Sequence, residues 1–178
     1  MDPDELAERH RELATYWACE GGFRERNLIE MAPLPAVPEE AVIDECLIVG
    51  TEDPALRKVA EQFAGYFKRE LRFDFIPFTA DHFADGDEVL LIKSRKVMML
   101  SPVACGAAGF DRRENCLRWV WLHPFERGTG LMNRVWDALE RRHGTVFWIE
   151  TPVSPPMQKF LEGREVDPSR WDGPTTVR

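Results

Sequence analysis

Apolar residues follow two rhythms along this chain, three- and four-residue steps in some stretches and compact runs in others. Leu6, His10, Leu13, Ala14 and Trp17 share one helical face, which predicts an amphipathic helix over 4–18 with Asp4 as its cap and Gly21-Gly22 as its end. Residues 23–41 lose that rhythm, and Pro33, Pro35 and Pro38 mark an extended connector. Val42, Ile43, Leu47, Ile48 and Val49 make 42–50 the first strand. Thr51-Glu52-Asp53-Pro54 combines capping candidates with an early proline, a helix start. The helix runs to about Leu71, with Leu56, Val59, Ala60, Phe63, Tyr66 and Phe67 on a broad apolar face. Residues 73–78 are apolar but broken by Asp74 and Pro77, and 81–87 form an acidic loop or a short helical turn.

Three strands are expected next, over 88–93, 97–110 and 115–123, joined by Ser94-Arg95-Lys96 and Asp111-Arg112-Arg113-Glu114 as hairpin turns. Strands so closely spaced make an antiparallel meander. The second is interrupted by Gly106-Ala107-Ala108-Gly109 and by Pro102. Pro102 lacks a ladder donor and should mark a bulge or frayed register. In the third, Leu117, Trp119, Trp121 and His123 alternate and are expected on one face. A helix over 132–142 follows, placing Leu131, Val135, Ala138 and Leu139 together, with Gly144 as its C′ residue. Residues 145–150 form a strongly apolar strand, expected at the centre of the sheet. Strand, helix, strand in this order implies parallel pairing of the two strands. Ser154-Pro155-Pro156 opens a last helix over 157–162 with Met157, Phe160 and Leu161 inward. The division that results is an N-terminal extension over 1–41, one domain over 42–163, and a polar, loosely attached tail over 164–178.

Composition narrows the partners. The chain has 178 residues, enough for a core without staples, and carries a net charge of −8. That balance favours a small or basic substrate and argues against nucleic acid, whose binders present a basic face. No apolar run reaches membrane-spanning length, and the acidic start Met1-Asp2-Pro3-Asp4-Glu5 is wrong for a signal peptide, so a cytoplasmic protein is expected. Cys19, Cys46, Cys105 and Cys116 form no Cys-x-x-Cys pair and no zinc spacing with the histidines. They read as free thiols, and no metal is expected.

The candidate chemistry sits between the last strand of the meander and the helix after it, in His123-Pro124-Phe125-Glu126-Arg127-Gly128-Thr129-Gly130-Leu131-Met132. Glycines let the backbone approach a ligand closely, a helix start offers unpaired N–H groups, and Arg127 adds a permanent cation; together they suit a phosphate or pyrophosphate. Glu126, in an anion-binding turn, is expected to point to solvent.

The order strand, helix, three antiparallel strands, glycine turn, helix, strand, short helix, with this turn, resembles the GCN5-related N-acetyltransferase (GNAT) family. That family carries Arg/Gln-x-x-Gly-x-Gly/Ala at the start of the corresponding helix. Arg127 and Gly130 match its first and fourth positions, Gly128 and Leu131 fit its variable ones, and Leu122-His123-Pro124 resembles the strand end that precedes it. The resemblance spans about 42–163. It implies an α/β (α+β) fold with a mixed, mostly antiparallel sheet and a parallel strand-helix-strand unit that binds an acyl-CoA. It also implies transfer of acetyl from acetyl-CoA to an amine of a small molecule or protein. The pyrophosphate would lie on Arg127, Gly128, Thr129, Gly130, Leu131 and Met132, and a backbone N–H near Leu122 would polarise the thioester. Three departures stand out: Met132 replaces glycine or alanine, Ser154 stands for an asparagine, and Phe160 for the tyrosine that protonates the leaving thiolate.

Glu150, His123 and Ser154 are the catalytic candidates. Glu150 ends the strand beside the expected acyl site, His123 has the intrinsic pKa of a base, and Ser154 can orient substrate or relay a proton through water. Each also has a structural role open to it: salt bridge, turn packing and helix cap. A non-catalytic acyl-CoA-binding or protein-interaction module on the same fold is the alternative. The acceptor and the oligomeric state, homodimer or other, are not written in the sequence.

Overall fold

The computed structural model describes residues 29–34, 42–43, 45–82, 86–97 and 102–171. The helix expected over 4–18, Pro35 and Pro38, and the end of the tail lie outside these residues. In chain order the strands are β1 (Ala32–Pro33), β2 (Val42–Ile43), β3 (Cys46–Val49), β4 (Asp87–Lys93), β5 (Val103–Asp111), β6 (Cys116–Leu122) and β7 (Trp148–Ile149). The helices are α1 (Pro54–Leu71), α2 (Leu131–His143) and α3 (Pro155–Gly163). The fold is mixed α/β with a mostly antiparallel sheet.

The sheet runs β2-β3-β4-β5-β6-β7, with β1 paired to the start of β5. Every pairing is antiparallel except β6 with β7. The expected meander is therefore present as β4, β5 and β6, and the strand-helix-strand unit as β6, α2 and β7. Two expectations change. The 42–50 run is a hairpin of two strands, turned at Glu45 with φ of 69°. The strand expected at the centre of the sheet is a short strand that, among the described residues, stands at the edge and pairs with β6 alone, and Trp148 on it is 55% exposed. Its apolar run reflects packing of Phe147 and Ile149 against α2, not burial on both sides.

Helix α1 starts at Asp53, whose Oδ1 accepts the Leu56 N–H at 3.0 Å. It lays Leu56, Ala60, Phe63, Ala64, Tyr66 and Phe67 on one sheet face, against Leu47, Val49, Val89, Leu91, Trp119 and Trp121. Helix α2 packs Leu131, Val135, Trp136 and Leu139 on the other face with Leu161 of α3, against Leu90, Ile92, Phe110 and Leu117. Full burial of side chains this size stabilises by about 1.5–3 kcal/mol each before entropy is charged.

Leu117 and Trp119 lie on opposite faces, contrary to simple alternation. Gly109 pairs with Trp119 and Phe110 with Leu117, so Arg118 is an extra residue in β6 and the face changes there. A second irregularity falls in β5, where Ile92 pairs with Gly106 and Lys93 with Ala104. This bulge lies at Cys105, while Pro102 stands just before β5 begins at Val103. The small residues of β5 have a packing reason: a Cβ on Gly109 would run into the Trp119 indole, and one on Gly106 into the Trp121 carbonyl. Residues on either side of the expected domain also join the body. Ile29, Met31, Ala32 and Leu34 are buried, as is Val166, and Arg170 Nε donates to the Phe147 carbonyl at 2.8 Å.

Candidate functional site

Strand β7 ends at Ile149, and the last backbone bond joining it to β6 runs from Glu150 N–H to the Leu117 carbonyl at 2.9 Å. Strand β6 continues to Leu122. Among the described residues, no strand pairs with its outer edge beyond Leu117. A cavity of about 440 Å³ opens along that edge. Val120, Trp121 and Leu122 form its strand wall. Gly128, Gly130, Met132 and Asn133 bring the start of α2, and Ser154, Met157 and Phe160 bring α3. Glu70 and Leu71 bring the end of α1 from the opposite sheet face.

The turn is shaped by its own residues. Pro124–Glu126 is a single 3-10 turn capped by His123, whose Nδ1 accepts the Phe125 N–H at 3.1 Å. Thr129 Oγ1 donates to the Glu126 carbonyl at 2.7 Å. Gly128 and Gly130 have φ of 72° and 83°, a region costly for any residue with a Cβ. The space where their Cβ atoms would stand is open to 4 Å. The cap residue Gly130 has no side chain to bond the start of α2; the Asn133 N–H goes to the Gly130 carbonyl at 3.1 Å, and the N–H groups before it are those a helix start offers to a ligand.

Leu122 is positioned to present a donor. The N–H and C=O of one strand residue point the same way. The His123 N–H turns inward to the Cys105 carbonyl at 2.7 Å, while the Leu122 carbonyl turns outward to Arg127 Nε at 2.9 Å. The Leu122 N–H therefore faces the open edge.

Arg127 is not aimed at the turn. Its Nη1 and Nη2 each donate to a Glu70 carboxylate oxygen at 2.6 Å. Trp121 Nε1 donates to the same carboxylate at 2.6 Å. Glu126, expected in solvent, is 1% exposed. Its Oε1 accepts from Ser94 Oγ and, at 3.1 Å, from the Lys96 N–H, so it ties the β4–β5 connection to the turn. Its Oε2 is buried with no hydrogen-bond partner among the described residues.

The other expected residues divide. Gly128, Gly130, Met132, Leu122 and Ser154 come together at the cavity. Ser154 Oγ also accepts the Met157 N–H at 3.4 Å as the cap of α3, which leaves its own O–H for the cavity. Leu131 is fully buried in the core beneath the turn. His123 is fully buried, beside Trp121 on the α1 face. Glu150 is exposed and bonded to Arg118 Nη1 at 3.0 Å; neither it nor His123 lines the cavity. Glu70, Val120 and Met157 are lining residues the sequence reading did not assign to the site. Glu70 had no sequence signal, since an acid in the last turn of a helix follows no motif.

Perturbed ionisation lies away from the cavity. Burial alone would raise the Glu88 carboxyl, but His143 and the Arg142 guanidinium outweigh it and hold it at about 2. Burial likewise opposes the charges of Asp111 and Arg118. Their mutual hydrogen bond wins, holding the acid low and the guanidinium high. Among the described residues, no group of three or more His, Cys, Asp or Glu side chains is placed to hold a metal ion. Nor is any helix among them long and apolar enough to cross a membrane. Comparison with protein-family models and with curated proteins finds no match to this chain.

Proposed function

We propose that this chain is an N-acyltransferase of the GCN5-related kind, moving acetyl from acetyl-CoA to an amine of a small molecule or protein within a ternary complex. The observation that carries the reading is the cavity along the unpaired edge of β6, with an uncapped, glycine-led helix start at one end. The helix start and the two open glycines suit a pyrophosphate. Val120, Leu122, Met132, Met157 and Phe160 offer the apolar wall that a pantetheine arm needs.

Acetyl-CoA, when bound, supplies an activated thioester: the amine nitrogen bonds to the acyl carbon as the C–S bond breaks, and the proton lost by the amine balances the one gained by sulfur. The chain's part is to hold and orient. The Leu122 N–H serves as a preorganised donor to the thioester oxygen, which gains charge during the reaction. The Ser154 O–H is available to substrate or to a water that carries the proton. Met132 and Met157 are unbranched and adjust to the arm between them.

Thermal unfolding with acetyl-CoA, CoA and ATP tests the donor assignment. Both CoA species should raise the midpoint of the wild type, and ATP should not; Gly130→Glu should respond to none. No shift with either CoA form contradicts the assignment. A binding module is the second reading, favoured by Phe160 in the cavity wall, where the described lining residues include no histidine. Tight acetyl-CoA binding with no release of free CoA across a panel of amines would select it.

A further inference from the structure

The glycine turn can offer its N–H groups to a ligand only while it holds one shape. Gly128 and Gly130, at φ of 72° and 83° with open space where a Cβ would stand, are the residues least able to hold that shape themselves. Resting on the donor reading above, we propose that Glu126 is the positioning residue of the donor site. Its carboxylate acts as a buried hydrogen-bond acceptor that fixes the turn, and not as a charge presented to the ligand.

Bonds within the turn are local. The Glu126 N–H goes to the His123 carbonyl at 2.9 Å, the Arg127 N–H to the Pro124 carbonyl at 3.2 Å, and Thr129 Oγ1 to the Glu126 carbonyl at 2.7 Å. They shape the turn without fastening it to a neighbouring element. The Glu126 side chain does fasten it. Its Oε1 accepts from Ser94 Oγ and, at 3.1 Å, from the Lys96 N–H, 32 and 30 positions away in the chain. Ser94 is itself held in place. Its N–H donates to the Val103 carbonyl at 2.7 Å, at the start of β5, and its Oγ accepts the Val97 N–H at 2.9 Å. Lys96 Nζ adds a bond to the Phe125 carbonyl at 2.7 Å. The turn is thus stapled to the β4–β5 connection through Glu126.

Burial decides between this staple and the other long-range bond of the turn. Arg127 and Glu70 pair with side chains 37% and 19% exposed, and exposed ion pairs constrain little. Glu126 is 1% exposed, where a bond between fixed groups is stronger than in water. Its negative charge, by contrast, is a cost at this place. It lies in a turn suited to a pyrophosphate, and its Oε2 is buried with no partner among the described residues. A role in geometry needs only the acceptor at Oε1. Glutamine supplies that acceptor with its amide oxygen, and alanine does not.

Calorimetric titration of the full chain with CoA tests the assignment. Glu126→Ala should bind CoA at least about tenfold more weakly than the wild type, and Glu126→Gln should return to within about threefold of it. Ser94→Ala removes one donor to Oε1 and should weaken binding at least about threefold, with little further loss when it is added to Glu126→Ala. Glu88 stands near the start of β4, whereas Ser94 follows its end. Glu88→Gln should therefore loosen the fold and leave CoA affinity at the wild-type level. An equal loss in Glu88→Gln and Glu126→Ala would make both a general loss of stability and overturns the proposal. Wild-type affinity in folded Glu126→Ala overturns it too, as does Glu126→Gln binding as weakly as the alanine variant. If Glu126→Ala does not fold, the other two variants decide: wild-type affinity in Ser94→Ala, or a loss of about tenfold in Glu126→Gln, overturns it. CoA failing to bind the wild type overturns the donor reading itself and this proposal with it.

Discussion

Arg118 Nη1 lies 3.0 Å from Glu150 Oε1, and its Nη2 reaches Asp111 at 2.7 Å and Glu114 at 3.0 Å. One guanidinium thus ties the end of β7 to the β5–β6 turn, just below the point where β6 becomes unpaired. This gives Glu150 a structural role at a half-exposed ion pair. Glu150→Gln should cost less than about 1 kcal/mol in urea unfolding. Its kcat/KM, measured by release of CoA thiol, should stay within about threefold of the wild type. A fall of about a hundredfold would return this carboxylate to the chemistry.

Glu88 should dominate the acid limb of stability. Its side chain is 6% exposed, with Arg142 at 2.6 Å and His143 at 3.1 Å. Its folded-state value of about 2 lies below the ordinary 4.5. A depressed carboxyl contributes fully above the ordinary value and loses its contribution as pH falls toward the folded one. The wild type should therefore lose up to about 3 kcal/mol from this group between pH 4.5 and 2. Glu88→Gln should be less stable at neutral pH and show a shallower acid limb in urea melts taken across that range.

The buried thiols should be inert. Burial pushes Cys116 up to about 11 and Cys105 well above its usual range, so neither is a thiolate at neutral pH. Iodoacetamide should leave both unmodified in the native protein and label both in urea, as read by peptide mass mapping. Rapid native labelling of Cys116 would show that the β6 edge opens.

Gly109 should tolerate no side chain at low cost. A Cβ there meets the Trp119 indole, itself packed on Phe67 at a centroid distance of 5.8 Å. Gly109→Ala should destabilise by about 1–3 kcal/mol in urea unfolding. A neutral result would mean that Trp119 has room to move.

The helices and the meander could be read from the sequence because their apolar spacing alone specifies them. Phe63 and Phe67 in α1, Val135 and Leu139 in α2, and the paired runs of β4 and β6 all bury the residues that the periodicity selects. The bulge at Arg118 could not be read. An inserted residue leaves composition unchanged, yet it moves Leu117 to the opposite face from Trp119. Burial of Glu126 depends on Ser94 and Lys96, about thirty positions away in the chain, and no local pattern encodes that meeting. The glycine half of the site was visible because positive φ selects glycine. The Arg127–Glu70 pair was not, since it joins residues from elements on opposite sides of the sheet.

The most direct test of the central reading is a titration of the isotope-labelled protein with CoA, followed by backbone amide NMR. The expected result is saturable shifts concentrated at Gly128, Thr129, Gly130, Met132 and Leu122, with Gly130→Glu abolishing them. Absence of shifts on the wild type, or shifts that avoid both the glycine turn and the edge of β6, would contradict it.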